Sequence, residues 1–307
     1  MEILKKIRNR QFIEIKILKK LINNYIIIIN LQKKRRKCYM EYNQKFIPEG
    51  WDCAPQAFSL QELNVASING NIMQAKVNKC DSKYNLYLDL GNNITGIIPR
   101  DEVEAINIDE TGFPKPNICT NKINKYVQFK VKDITKNNTV ILSRKAVGKE
   151  AINWIKNDLK EGMVVYGIVK NIKPYGAFVE IGGGIVGLVH IEDISVARIK
   201  SPYERFKIGQ KIKIVVKSID RKTNRVILSY KEMYGTWEDN IKDFEEGTVV
   251  KGIAREIEKR KNGIFVELKP NLIGLADYKE NIEYGNNVNV YIKRIIPEKR
   301  KIKLTIV

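Results

Sequence analysis

Five side chains in the middle of the sequence, Tyr175, Phe178, His190, Asp220 and Arg225, combine three flat rings with a carboxylate and a guanidinium. Such rings stack on unpaired bases of ribose or deoxyribose chains at about 1–3 kcal/mol per base, while nearby Lys and Arg hold the phosphates. A carboxylate can accept from a base edge, and a guanidinium can reach phosphate or stack. Each position also admits a structural role: Phe178 in a core, His190 as a satisfied strand-end residue, Asp220 and Arg225 as a hairpin ion pair. Their joint placement on one expected face favours the binding reading.

That face depends on strand alternation. With Val179 and Ile181 pointing into a core, Phe178 and Glu180 are expected to point out. Tyr175, three residues before Phe178, falls on the opposite side under strict alternation. A bend or bulge at Gly176 is expected to return it to the side of Phe178. His190 ends the following strand, so Tyr175, Phe178 and His190 are expected to form one cluster.

The elements that must hold these residues occur three times. The middle copy runs Tyr175–Gly182, then Gly187–His190, and closes on Val226-Ile227-Leu228-Ser229. Before it stand Tyr84–Gly91, Gly96-Ile97-Ile98-Pro99 and Val140-Ile141-Leu142-Ser143; after it stand Asn262–Leu268, Gly274-Leu275-Ala276-Asp277 and Ile302-Lys303-Leu304-Thr305. Self-similarity of this kind fixes architecture before local propensity does. Short, alternating runs rich in Val, Ile, Tyr and Phe, parted by Gly, Asn, Asp and Pro, signal an all-β barrel or sandwich. In the middle copy strands are expected near 163–172, 176–181, 184–190, 211–219 and 224–229. With a longer connection from Glu192 to Gly209, five strands match a small Greek-key barrel of the OB type.

The expected organisation is an extension over 1–66, repeats over 67–148, 162–232 and 246–307, and short helical linkers over 149–161 and 233–245. Trp154 and Trp237 in the linkers are expected to cover barrel ends, with a nucleic-acid contact as the alternative.

Composition narrows the function. A chain of 307 residues has room for two or three domains with real cores. Its 43% hydrophobic and 29% charged residues set aside wholesale disorder, a collagen-like chain and a membrane-embedded one. A formal charge of +20 favours polyanions, either nucleic acid or an anionic membrane surface. His190 is the only histidine, which excludes metal sites built from several imidazoles and leaves one possible Ser/Cys-His pairing. Cys38, Cys53, Cys80 and Cys119 contain no C-x-x-C, so neither a zinc clip nor a disulfide framework is expected. No metal or cofactor is expected, and a reducing cytoplasm fits.

Half of the net charge lies in residues 1–39, where twelve Lys and Arg face only Glu2 and Glu14. The longest apolar run there, Tyr25–Ile29, is far below the ~18–20 residues of a spanning helix. Asn23 and Asn24 interrupt it and no small-residue cleavage pattern follows, so neither a membrane span nor a signal peptide is expected. This Lys/Ile/Asn-rich segment reads as a low-complexity extension before a start at Met40, against a basic arm on nucleic acid or membrane.

At Tyr175-Gly176-Ala177-Phe178-Val179, Gly187-Leu188-Val189-His190-Ile191 and Ile219-Asp220-Arg221…Arg225-Val226-Ile227-Leu228-Ser229 the chain resembles the S1 RNA-binding domain. The series of three such units is similar to the arrays of ribosomal S1 proteins. The resemblance implies RNA-binding roles for Tyr175, Phe178, His190, Asp220 and Arg225, and secondary ones for Tyr84, Tyr87, Phe265 and Lys301. The outer repeats depart from the pattern. The first has Pro99, Thr135 and Thr139 at the histidine, aspartate and arginine positions; the third keeps Phe265 and Lys301 but has Asn262, Asp277 and Pro297 at the other matching positions, and a shorter connection between its third and fourth strands. An insertion around Asp109–Thr120 suits the first repeat to protein docking, by family analogy.

The resemblance implies a non-catalytic binder of single-stranded RNA, engaging mRNA and the small ribosomal subunit in translation, with no membrane partner and no small-molecule substrate. S1-type barrels also accompany ribonucleases and phosphorolytic enzymes. Once three barrels are assigned, however, only 1–66 is left, and its carboxylates are too sparse for a two-metal nuclease. Alternatives are an accessory factor in RNA decay or transcription and a protein-interaction scaffold.

Overall fold

The computed structural model describes residues 44–51, 57–104, 108–135, 137–258 and 263–307. The extension 1–39, Met40, Cys38, Cys53 and Asn262 lie outside the described residues. The described chain divides into two compact units: residues up to Asn153 together with Gly182–Ile185, and Trp154–Ile181 together with Val186–Val307.

In the first unit, helix α1 (Leu60–Asn69) precedes a closed barrel of five strands: β1 (Ile72–Cys80), β2 (Leu86–Asp89), β3 (Thr95–Ile98), β4 (Tyr126–Ile134) and β5 (Thr139–Ser143). Ser59 starts the helix because its hydroxyl accepts from the Glu62 N–H while the Glu62 carboxylate accepts from the Ser59 N–H, two orphan donors satisfied together. Gly70 ends it in the left-handed conformation, at φ 61°. Leu63, Val65 and Ala66 then join Phe58, Leu88, Phe129 and Leu142 in one core. Between β3 and β4 the insertion folds into a bridge, Ile108 to Pro114, and a short helix α2 (Pro116–Thr120). Helix α3 (Lys145–Asn157) follows, with Trp154 half-buried on it.

The second unit holds two more barrels with the same connectivity. The middle one has β6 (Val164–Lys173), β7 (Gly176–Glu180), β8 (Val186–His190), β9 (Lys211–Asp220) and β10 (Arg225–Ser229). The last has β11 (Val249–Glu258), β12 (Gly263–Lys269), β13 (Leu272–Asp277), β14 (Asn287–Ile296) and β15 (Lys301–Ile306). Between them, helix α4 (Trp237–Ile241) starts at a Thr236–Asp239 capping box and lays Trp237 and Ile241 on the third core. The connection from β13 to β14 is shorter than that from β8 to β9, as expected from the sequence.

In every copy the third strand runs parallel to the fifth and closes the barrel. The repeated glycines sit at this closure. A Cβ at Gly96, Gly187 or Gly274 would come within 2.6 Å of the Leu142, Leu228 or Leu304 side chain, so the leucine of the last strand occupies the space a side chain would need. Val179, Val189, Ile214, Val216 and Leu228 fill the middle barrel.

Candidate nucleic-acid interface

β6 and β7 form a tight hairpin in which Lys173 faces Gly176, leaving Pro174 and Tyr175 as the turn. Tyr175 is therefore outside the strand and not bound by its alternation. The strand pair does contain a bulge, but in β6 between Val169 and Asn171, not at Gly176 as expected. Gly176 serves close approach instead: a Cβ there would lie 2.3 Å from the Val189 carbonyl oxygen. The Ile191 N–H donates to the Tyr175 carbonyl at 2.9 Å and fixes the turn.

This places the Tyr175 and Phe178 rings edge to face, centroids 6.2 Å apart and planes at 85°. Tyr175 is 50% exposed, and Phe178 is half-buried on the outer face while Ala177 and Val179 fill the core. On β8, Leu188 faces Phe178 and His190 faces Gly176, so the imidazole lies diagonally from the Phe178 ring, on its side of the sheet. The His190 side chain is 45% exposed, with Nδ1 3.6 Å from Glu192 Oε2. β10 pairs beside β8, Ile227 against Leu188, and alternation puts exposed Arg225 on the Ile227 side. The structure thus brings Tyr175, Phe178, His190 and Arg225 to one outer surface, with Leu188, Ile227 and exposed Val186 between them. Sequence reasoning missed these apolar residues, although alternation around buried Val189 and Val226 points to them.

Asp220 does something different. Facing Arg225 across the β9–β10 hairpin, it accepts from the Thr223 hydroxyl at 2.6 Å and from the Lys222 and Thr223 N–H groups at 2.9 and 3.3 Å. These bonds, led by the Thr223 hydroxyl, hold its carboxyl below the ordinary range. It builds the turn that presents Arg225. Arg221, in the same turn, donates to the carbonyls of Ile155 and Leu159 at 2.6 and 3.0 Å, and to that of Lys156, capping the end of α3.

Glu180 is a correction. Its expected outward orientation does not expose it: the residue is 2% exposed, and its carboxylate takes the Lys170 ammonium at 2.6 Å. A buried carboxylate needs such a partner. Just past His190, buried Asp193 accepts from Lys217 at 2.7 Å and from Lys231 at 3.0 Å, holding two ammonium groups that spacing alone did not single out.

In the first barrel, Tyr84 and Tyr87 are half-buried at the positions of Tyr175 and Phe178. Tyr84 is covered by Arg100, whose guanidinium carbon stands 5.0 Å from its ring centre and 5.4 Å from that of Phe113. Arg100 is held there by Asp109 at 2.5 Å and by the Pro114 carbonyl. The Tyr87 hydroxyl donates to Asp81 at 3.2 Å. In the third barrel Phe265 faces exposed Leu275 and Lys301 is exposed, but Asp277 stands at the histidine register with its carboxylate on Lys293 at 3.0 Å. Among the described residues no group of three or more His, Cys, Asp or Glu could hold a metal ion. No helix of the described residues is long and apolar enough to cross a membrane.

Comparison with known proteins bears on the family of the repeats. The S1 RNA binding domain matches residues 68–145 and 158–231. Small ribosomal subunit protein bS1 of Staphylococcus aureus is 34% identical over 256 residues, covering 78% of this chain and 62% of that protein. The bS1 homolog of Bacillus cereus is 29% identical over 313 residues, covering 96% of this chain and 72% of that protein. The chain thus spans about 62% of the length of the Staphylococcus aureus relative. Among solved structures, GSP13 from Bacillus subtilis aligns with a TM-score of 0.25 and 26% identity over 26% of this chain and 61% of that one. With the domain matched in two copies and the same strand order in all three barrels, the chain belongs to the S1 RNA-binding domain family.

Proposed function

We propose that this chain is a non-catalytic, cytoplasmic binder of single-stranded RNA of the ribosomal S1 type, which engages mRNA with the small ribosomal subunit in translation. The observation that carries the reading is the outward-facing pair of exposed Tyr175 and half-buried Phe178 beside His190 on the middle barrel. Bases stack on the rings and Arg225 takes a neighbouring phosphate, while Asp220 acts through the turn it builds. Phe265 and Lys301 of the third barrel give a weaker second contact; Tyr84 and Tyr87 contribute least, because Arg100 already occupies the Tyr84 ring. Linked modules of modest affinity raise one another's occupancy through effective concentration. The bS1 names of the relatives support the translational role.

The test is an anisotropy titration of a labelled uridine-rich oligonucleotide against the full chain, with cosedimentation on small ribosomal subunits at low and high salt. Binding that weakens in Phe178→Ala and His190→Ala, with pelleting at low salt, is expected. Unchanged titrations in both variants would leave a protein scaffold as the better reading.

A further inference from the structure

We propose that the third barrel is a brace for the ring surface of the middle barrel: it holds the connection that leaves His190 and thereby sets the position of the rings. The proposal rests on reading that surface as the RNA site, and goes beyond it by giving the third barrel a role other than RNA contact.

The brace is a continuous series of bonds. The connection starts at Ile191, whose N–H holds the Tyr175 turn. Two residues on, Asp193 is buried and tied to Lys217 and Lys231. The Val196 N–H then donates to Asn271 Oδ1 at 3.1 Å, and the Ala197 N–H to the Pro270 carbonyl at 2.9 Å, both acceptors lying in the third barrel. Asn271 also donates to the carbonyls of Lys231 and Gly235, so one amide fastens the start of the connection and the segment after β10 to the same barrel.

Further along, the connection ends in a buried charge cluster. Arg205 donates to Glu267 at 2.5 Å, and Arg255 bridges Glu267 and Glu204, each at 2.5 Å. The Tyr284 hydroxyl donates to Glu204 at 2.7 Å and accepts from the Lys200 N–H at 2.9 Å. Arg255 and Glu267 are only 6% and 5% exposed. Ions so far from water keep their charge only while the partners stay in place, which makes the cluster intolerant of sliding. Buried polar networks of this sort specify one arrangement more than they add stability. Meanwhile the third barrel's own histidine position holds Asp277, engaged by Lys293, so its ring face is a poor copy of the one it supports.

His190, the only histidine, gives a single imidazole resonance that reports the ring surface without RNA. The full-length chain is compared with Asn271→Ala, Arg205→Ala, the conservative Arg205→Lys, and Phe178→Ala. Arg205→Ala leaves Glu267 paired with Arg255, so folding is expected to persist, checked by circular dichroism and melting. The His190 resonance is expected to shift or broaden in Asn271→Ala and Arg205→Ala, and oligonucleotide affinity to fall about fivefold or more. Arg205→Lys is expected to restore both. An unmoved resonance with unchanged affinity in folded Asn271→Ala and Arg205→Ala overturns the brace, while Phe178→Ala still weakening the same titration leaves the RNA site standing. A Phe178→Ala variant that binds normally overturns the RNA site instead, and the RNA-free resonance then judges the coupling alone.

Discussion

The edge of one aromatic ring meets the face of the other where Tyr175 and Phe178 stand 6.2 Å apart, and neither residue comes from the same kind of element: one is in a turn, the other in a strand. Each ring therefore fixes the orientation of its neighbour. Phe178→Ala is expected to cost about 1–3 kcal/mol of RNA binding. A double-mutant cycle with Tyr175→Ala should show a coupling of about 0.5–1.5 kcal/mol. Strictly additive losses in anisotropy titrations would contradict the mutual support.

The first barrel allows a gain. Arg100 lies between Tyr84 and Phe113, so Arg100→Ala uncovers a ring at the position of Tyr175. In a Phe178→Ala background, which removes the stronger site, this second substitution is expected to recover about 1 kcal/mol of binding, the low end for one stacked base. Titration of the two variants side by side measures it.

Salt provides a separate check on Arg225. Affinity for single strands should fall with log salt at a slope of about −0.7 per neutralised phosphate. Arg225→Ala is expected to shallow that slope by about 0.7, consistent with one phosphate contact. A weakened affinity at unchanged slope would assign the guanidinium to stacking.

Asp193 ties stability to pH. Burial pushes its carboxyl up, but the Lys217 and Lys231 ammonium groups more than offset this and hold it below the ordinary value. The unfolded chain therefore binds this proton more tightly, so the contribution is present above the unfolded-state value and disappears as pH falls through the folded-state one. Asp193→Asn is expected to lower stability at neutral pH by about 1–3 kcal/mol. The gap from the parent chain in thermal melts should narrow as pH falls below the ordinary aspartate range and through the depressed folded-state value.

Much of this architecture was legible because period-two alternation and repeated glycines are local signals. The strands of the middle barrel and the glycine before each closing contact follow from them, and helix-compatible spacing around Trp154 and Trp237 marks the linker helices. What was not legible depended on partners distant in sequence. Glu180 alternates outward, as read, yet is buried against Lys170. Arg100 covers Tyr84 only because the insertion folds back to hold it at Asp109 and Pro114. Arg205, Arg255 and Glu267 look like ordinary surface charges until the β8–β9 connection meets the third barrel. Asp220 was matched by position, but its oxygens are taken by its own turn.

Because each of the three sheets among the described residues closes on itself, these barrels offer no open sheet edge there to a neighbouring strand. Copies can accordingly be strung along one chain, even at high local concentration, without zipping together edge to edge. The same closure confines recognition to side chains on the outer wall, so a few point changes there can retune one copy while the scaffold beneath it stays the same.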